Sequence, residues 1–231
     1  ETDSLSKSSY SLRHILSYEE QENRFDQASP INFFGESFTN EKISDKIFLN
    51  SLKTRFIFSF NQRSIGDFEI GTEFIKDKYF LENFQTEIFV NDVRKINSET
   101  GSLFFNYGKK MNGLKFDFFS SNKIFGDNES MLIGSDIHLK LNENNSIVFK
   151  LLSSEYEPAY NATLFASNYL NYNWNNELEN VESNQFSLLL NFPKILEVNI
   201  DYHSLNNFVQ FEKTNLSLSS SDEVYGIMPI Q

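Results

Sequence analysis

The 231-residue chain contains no cysteine, which removes disulfides, thiolate metal sites and cysteine nucleophiles together. No stretch approaches the ~18 consecutive apolar residues of a membrane-spanning helix, so a helical membrane protein is excluded. Basic residues are scarce. Lys and Arg number 20 against 32 Asp and Glu, a net charge of -12. Neutralising phosphates takes clustered cations, so a nucleic-acid partner is excluded as well. There is no Gly-rich phosphate loop and no G-x-S-x-G elbow. The three histidines, His14, His138 and His203, fall on separate predicted strands without ligand-like spacing, and neither a metal nor a cofactor is expected. Paired carboxylates such as Asp67 and Glu69 share a strand face, but a chain this acidic produces such pairs by composition. No catalytic residue is assigned, and the chain reads as non-enzymatic. It begins at Glu1 with no initiator methionine or signal-like segment, and it is read as one segment, residues 1–231, of something longer at both ends.

What the sequence has is aromatic rings and a period of two. It holds 25 Phe and 10 Tyr beside a single Trp, too much apolar surface for a disordered acidic tail. In "FSLLLNFPKILEVNIDYHS", residues 186–204, one parity collects Phe186, Leu188, Leu190, Phe192, Leu196, Val198, Ile200 and Tyr202. The other carries Ser187, Asn191, Glu197, Asn199 and Asp201. The same alternation recurs in Tyr10 to Tyr18, Phe48 to Phe60, Phe68 to Phe74, Phe84 to Val90, Leu103 to Phe118 and Ile133 to Leu151. Side chains one apart point to opposite faces of a strand, so each run predicts a strand with one apolar face. About a dozen such runs, with no repeat and no amphipathic helix, predict an all-β antiparallel up-and-down meander.

Hairpin parity tests whether the runs share that face. Asn112-Gly113 predicts a two-residue type I′ turn with Met111 facing Leu114 and Tyr107 facing Phe118. Around Pro193 a five-residue connection is expected, keeping Leu190 opposite Val198. Asn142 to Ser146 is expected as a five-residue turn pairing Leu141 with Ile147 and Leu139 with Phe149. Long polar connections are expected over about residues 21–45, 122–130 and 154–161. Short connections do not fall at every second place in this reading, and the order slips near Val90 to Gly101.

An apolar face can meet another sheet in a soluble sandwich, or lipid in a transmembrane β-barrel. Runs of roughly 9 to 12 residues, longer than the usual ~5 to 6, favour the barrel. So do charges in mid-strand on the opposite face. In that reading Lys53, Arg55, Asp67, Glu69, Glu73, Lys115, Asp117, Asp136, Lys140, Glu197 and Asp201 line the pore. Phe56, Phe58, Phe68, Ile70, Phe116, Phe118, Leu188, Leu190, Val198 and Ile200 face lipid. Tyr10, Tyr18, Tyr169, Tyr172, Trp174 and Tyr202 lie at the interfaces, where amphipathic rings belong. Tyr169, Tyr172 and Trp174 could alternatively stack on a sugar.

The stretch "SNYLNYNWNNELENVESNQFSLLLNF", followed by "LEVNIDYHSLNNFVQFE", resembles the putative porin family of Bacteroidetes outer-membrane β-barrels. The likeness is carried by the Asn/Tyr-rich approach to Asn173-Trp174, the polar turn, the two strands and the closing Asn206, Asn207 and Phe208. "LRHILSYEEQENRF" agrees more loosely. The resemblance implies an internal portion of an outer-membrane barrel, with membrane lipid and small hydrophilic solutes as its partners. Its implied function is passive diffusion, and the acidic excess among the lining residues adds a weak cation preference. The competing reading is a secreted or surface-exposed soluble β protein that binds glycans or protein partners.

Overall fold

The computed structural model describes residues 8–82, 95–217 and 223–230, with side chains described as far as residue 210. Alternation becomes strand wherever it was found within that range. β1 (Ser9–Gln27), β2 (Ile43–Gln62), β3 (Gly66–Glu82), β4 (Lys95–Met111), β5 (Leu114–Phe125), β6 (Met131–Lys140) and β7 (Ser146–Tyr156) follow one another. A single helical turn, α1 (Tyr160–Thr163), and two short strands, β8 (Leu164–Phe165) and β9 (Trp174–Asn175), precede β10 (Val181–Phe192) and β11 (Leu196–Asn206). β12 (Gln210–Ser217) and β13 (Glu223–Ile230) end the chain. The run Phe84 to Val90 lies outside the described residues.

β1 to β7, β10 and β11 form one nine-stranded antiparallel sheet in chain order, open at β1 and β11. β8 pairs with β9, and β12 with β13, apart from it. Residues directly opposite each other share a face, so the register can be read across the sheet. Tyr10, Phe60, Phe68, Tyr107, Phe118, Ser135, Leu151, Phe186 and Tyr202 form one continuous row over all nine strands. The neighbouring row on the other face runs Ser9, Asn61, Asp67, Gly108, Asp117, Asp136, Lys150, Ser187 and Asp201. At this level one face is therefore apolar and the other polar over all nine strands.

Among the described residues nothing covers the apolar face. Leu12 is 77% exposed, Phe56 50% and Ile200 49%. A soluble sandwich would bury such a face against a second sheet. Buried hydrophobics gather instead on the polar side, where Tyr79 and Leu81 of β3 pack against Leu164 and Ala166, with Ile47, Leu49, Ile96 and Tyr160 around them. Among the described residues no helix is long and apolar enough to cross a membrane.

The connections alternate, contrary to the sequence reading. At one end of the sheet they are residues 63–65, 112–113, 141–145 and 193–195; at the other, 28–42, 126–130 and 157–180. The slip expected near Val90 to Gly101 falls partly on residues 83–94, outside the described residues, and its remainder lies within β4. β1 runs to Gln27 and β2 starts at Ile43, so the connection expected over 21–45 shortens. The register at 141–145 is also two residues off the expected one, with Leu139 opposite Ile147 and Ile137 opposite Phe149. Asn142 Oδ1 accepts the backbone N–H groups of Asn144 and Asn145, which draws Leu141 into the turn. At Pro193 the Ile195 N–H donates to the Phe192 carbonyl, closing a tight turn without positive φ at Ile195. Leu190 stays opposite Val198, as expected.

Candidate functional site

The register puts every ionisable residue predicted to line a pore on the polar face. Asp67, Asp117, Asp136 and Asp201 share the row just described, and Glu69 lies between Ser59 and Asn106. Glu73 lies between Arg55 and Ser102, while Lys115, Lys140 and Glu197 continue the same parity toward the short connections. All the residues predicted to face lipid lie on the opposite face. Tyr10, Tyr18 and Tyr202 join them there, exposed.

Charges on the polar face are cross-linked. Arg55 reaches Glu73 at 2.9 Å and Lys53 reaches it at 3.4 Å, while the Arg55 guanidinium lies 4.7 Å from the centre of the Phe104 ring. Gly71 makes that arrangement possible. A Cβ there would sit 2.3 Å from the Phe56 carbonyl oxygen and 2.5 Å from the Phe104 ring. Arg13 meets Glu69 at 2.6 Å, and Lys115 meets Asp117 at 2.5 Å.

Tyr169 and Trp174 depart from the sequence expectation. Neither lies at an exposed rim; both are buried within residues 157–180, which lie against the polar face. Tyr172 accompanies them, its ring 6.2 Å from those of Tyr169 and Phe34. Burial pushes the Tyr172 phenol up from its ordinary value. The Asn/Tyr-rich composition expected at a membrane interface serves here for internal hydrogen bonding.

The segment is anchored strand by strand. Lys123 of β5, its side chain 6% exposed, donates to Glu157 at 2.5 Å. The Tyr160 hydroxyl donates to Asp77 of β3 at 2.8 Å, and its ring stacks on Tyr79 at 5.5 Å. The Tyr79 hydroxyl donates to the Leu164 carbonyl at 2.9 Å. On β2 the buried Asp45 carboxylate accepts from the Ser167 hydroxyl, the Asn168 N–H at 3.1 Å and the Asn168 side-chain amide at 2.7 Å. Tyr169 donates to Gln27 of β1 and accepts from the Ile31 N–H at 3.1 Å. Within the segment Trp174 stacks on Phe165 at 4.7 Å and donates to the Asn161 carbonyl at 3.0 Å. The connection 28–42 clasps the far end, where Phe38 donates to the Asn168 carbonyl and Leu170 to that of Glu36, both at 2.9 Å.

Beside the segment the polar face retains a cleft of about 370 Å³, walled by Ser98, Thr100 and Ser102 of β4, Glu73, Lys123 and Tyr160. Burial, reinforced by the hydrogen bond that the hydroxyl donates to the Asp77 carboxylate and by that group's charge, pushes the Tyr160 phenol well above its usual value. Sequence reasoning missed Asp45, Asp77, Lys123 and Tyr160. A signal was present in the parity: Ile47, Leu49, Tyr79, Leu81 and Ile96 are apolar at polar-face positions, which requires something to cover them.

A family model described as "Putative porin" matches residues 2–228. No curated protein and no solved structure matches the chain.

Proposed function

The chain belongs to the putative porin family, and on that premise we propose that its sheet is an arc of the wall of one outer-membrane β-barrel, carrying small hydrophilic solutes passively across the membrane. The observation behind this reading is the uncovered row of large apolar side chains across all nine strands, with a charged row directly behind it. Lipid suits the first face and water the second.

The level of the bilayer follows from the same face. On β3 it runs Phe68, Ile70, Thr72, Phe74 and then turns to Lys76 and Lys78; on β10 it runs Phe192, Leu190, Leu188, Phe186 and then turns to Asn184 and Glu182. The apolar part is roughly 20 Å along the strand, which at a tilt of ~40° gives a band about 15 Å tall, thinner than the ~25 Å of typical outer-membrane barrels. It lies toward the short connections, which are then periplasmic, and the strands continue beyond the bilayer toward the long ones. Tyr10 and Tyr202 fall within one row at the band, as interfacial or lipid-facing rings.

The row of Asp67, Asp117, Asp136 and Asp201 gives the proposed passage a weak preference for cations. The role is that of a channel and not of an enzyme. Planar-bilayer recording of the full-length protein tests it: stepwise conductance is expected, with a reversal potential on the cation-selective side under a salt gradient. A protein recovered without detergent as a monodisperse monomer, silent in bilayers, would support the soluble glycan- or partner-binding alternative.

A further inference from the structure

We infer that the polar face, at its end nearest the long connections, carries a binding site for a quaternary ammonium solute, walled by aromatic rings around the Asp45 carboxylate. The inference goes beyond the channel reading, since the site needs no solute to cross the membrane. Phe25 of β1 lies directly opposite Asp45 of β2. Phe34 of the 28–42 connection and Tyr169 and Tyr172 of residues 157–180 join them in lining a cavity of about 340 Å³. That volume is within the range of small-molecule sites. The rings meet at steep angles: 81° for Phe25 and Phe34, 74° for Phe34 and Tyr172, and 66° for Tyr169 and Tyr172, with centroids 5.7, 6.2 and 6.2 Å apart. They stand as walls around a shared space and not as a flat stack.

Charge decides what fits. Asp45 is 5% exposed, and among the described residues no cationic side chain pairs with it. Arg24 also borders the cavity, but its parity is that of the opposite face, where Asp26 holds it. A buried carboxylate and the negative faces of the surrounding rings draw a cation. Which cation follows from the hydrogen bonds. The Ser167 hydroxyl, the Asn168 N–H and the Asn168 side-chain amide already donate to Asp45, and the Tyr169 hydroxyl is engaged by Gln27 and Ile31. A metal ion or a primary ammonium would shed its water and find these acceptors largely taken. A sugar would lose partners for its hydroxyls in the same way. A quaternary ammonium has no N–H to satisfy, so diffuse charge and ring faces suffice to hold it. The cavity lies on the polar face, opposite the one assigned to lipid, so its occupant is a free solute and not a lipid headgroup.

The test is calorimetric titration of the full-length protein in maltoside micelles, which carry no choline headgroup. The probes are choline, its uncharged carbon isostere dimethylbutanol, ammonium chloride and arabinose. Choline is expected to bind at a single saturable site, about ten-fold or more tighter than the isostere, a difference that desolvated cation–π contacts supply. Neither ammonium nor arabinose is expected to compete. Tyr172→Leu, which removes a ring while keeping apolar volume, is expected to weaken choline binding about ten-fold, and Tyr172→Phe to leave it unchanged. Equal affinity for choline and the isostere would overturn the inference on wild-type protein alone, whether or not a variant folds. Displacement by arabinose, or choline binding indifferent to Tyr172→Leu, would overturn it as well. Stepwise conductance in bilayers without choline binding would overturn the site and leave the channel reading standing; choline binding by a protein silent in bilayers would do the reverse.

Discussion

Asn168 binds Asp45 through both its backbone N–H, at 3.1 Å, and its side-chain amide, at 2.7 Å, across 123 positions of sequence. The carboxylate is 5% exposed and also accepts the Ser167 hydroxyl. Asp45→Ala leaves these donors without their acceptor, at about 1–3 kcal/mol for each buried group that water cannot reach. Amide exchange by mass spectrometry should then speed up across 157–180 while β2 and β3 stay protected. Unaltered exchange in the segment would show that Asp45 is not its latch.

Ile200 belongs to the row Phe116, Ile137, Phe149, Leu188, Ile200, inside the apolar band. Ile200→Arg should cost about 2–4 kcal/mol if that face meets the bilayer interior. Asn199→Arg, on the polar face, should cost far less. Denaturant titration of the refolded barrel in lipid compares the two, and equal costs would contradict the assignment of faces.

Gly71 and Gly134 each lie under an aromatic ring on the polar face. A Cβ at Gly134 would come within 2.3 Å of Phe119, and one at Gly71 within 2.5 Å of Phe104. Overpacking of this kind costs about 1–3 kcal/mol. Gly71→Ala should be the worse of the pair, because its Cβ also meets the Phe56 carbonyl oxygen, which belongs to the sheet backbone and cannot move aside. Melting temperatures of the two variants should fall in that order.

Asp117 and Asp136 stand opposite each other on β5 and β6, with Lys150 beyond them. Changing both aspartates to asparagine removes charge from the proposed lumen while keeping side-chain shape. The reversal potential should shift toward the anion-selective side, and the shift should shrink as salt rises. A potential unchanged at low salt would place the selecting charges elsewhere.

Alkaline pH should loosen the segment. The Tyr160 phenol is raised above its ordinary value of 10.0 by burial and by Asp77. Its neutral form is the one the docked state holds. The stabilisation is therefore complete below pH 10 and is lost as pH climbs from there through the raised value. Amide exchange in 157–180, corrected for its intrinsic pH dependence, should rise over that range, and Tyr160→Phe should move the onset upward.

Legibility in the sequence followed the range of the interactions involved. Parity along a strand is local, so the two faces were readable over most of the described strands, and Asn112-Gly113 fixed its hairpin with Met111 opposite Leu114. The turn at 141–145 was missed by two residues because one side chain, Asn142, reorganises it. Residues 157–180 were the least legible. Their Asn, Tyr and Ser content reads as solvated loop and interfacial girdle, whereas their partners lie on strands far away in sequence.

By itself, then, the sequence determined that the strands are two-faced and which residues each face carries, because a period of two is written residue by residue. Only the tertiary structure decided that a stretch of polar and aromatic residues would turn back across the charged face and supply its buried core. That outcome depends on Tyr79 meeting Leu164 and Asp45 meeting Asn168, contacts that form only once β2, β3 and the segment have been brought side by side.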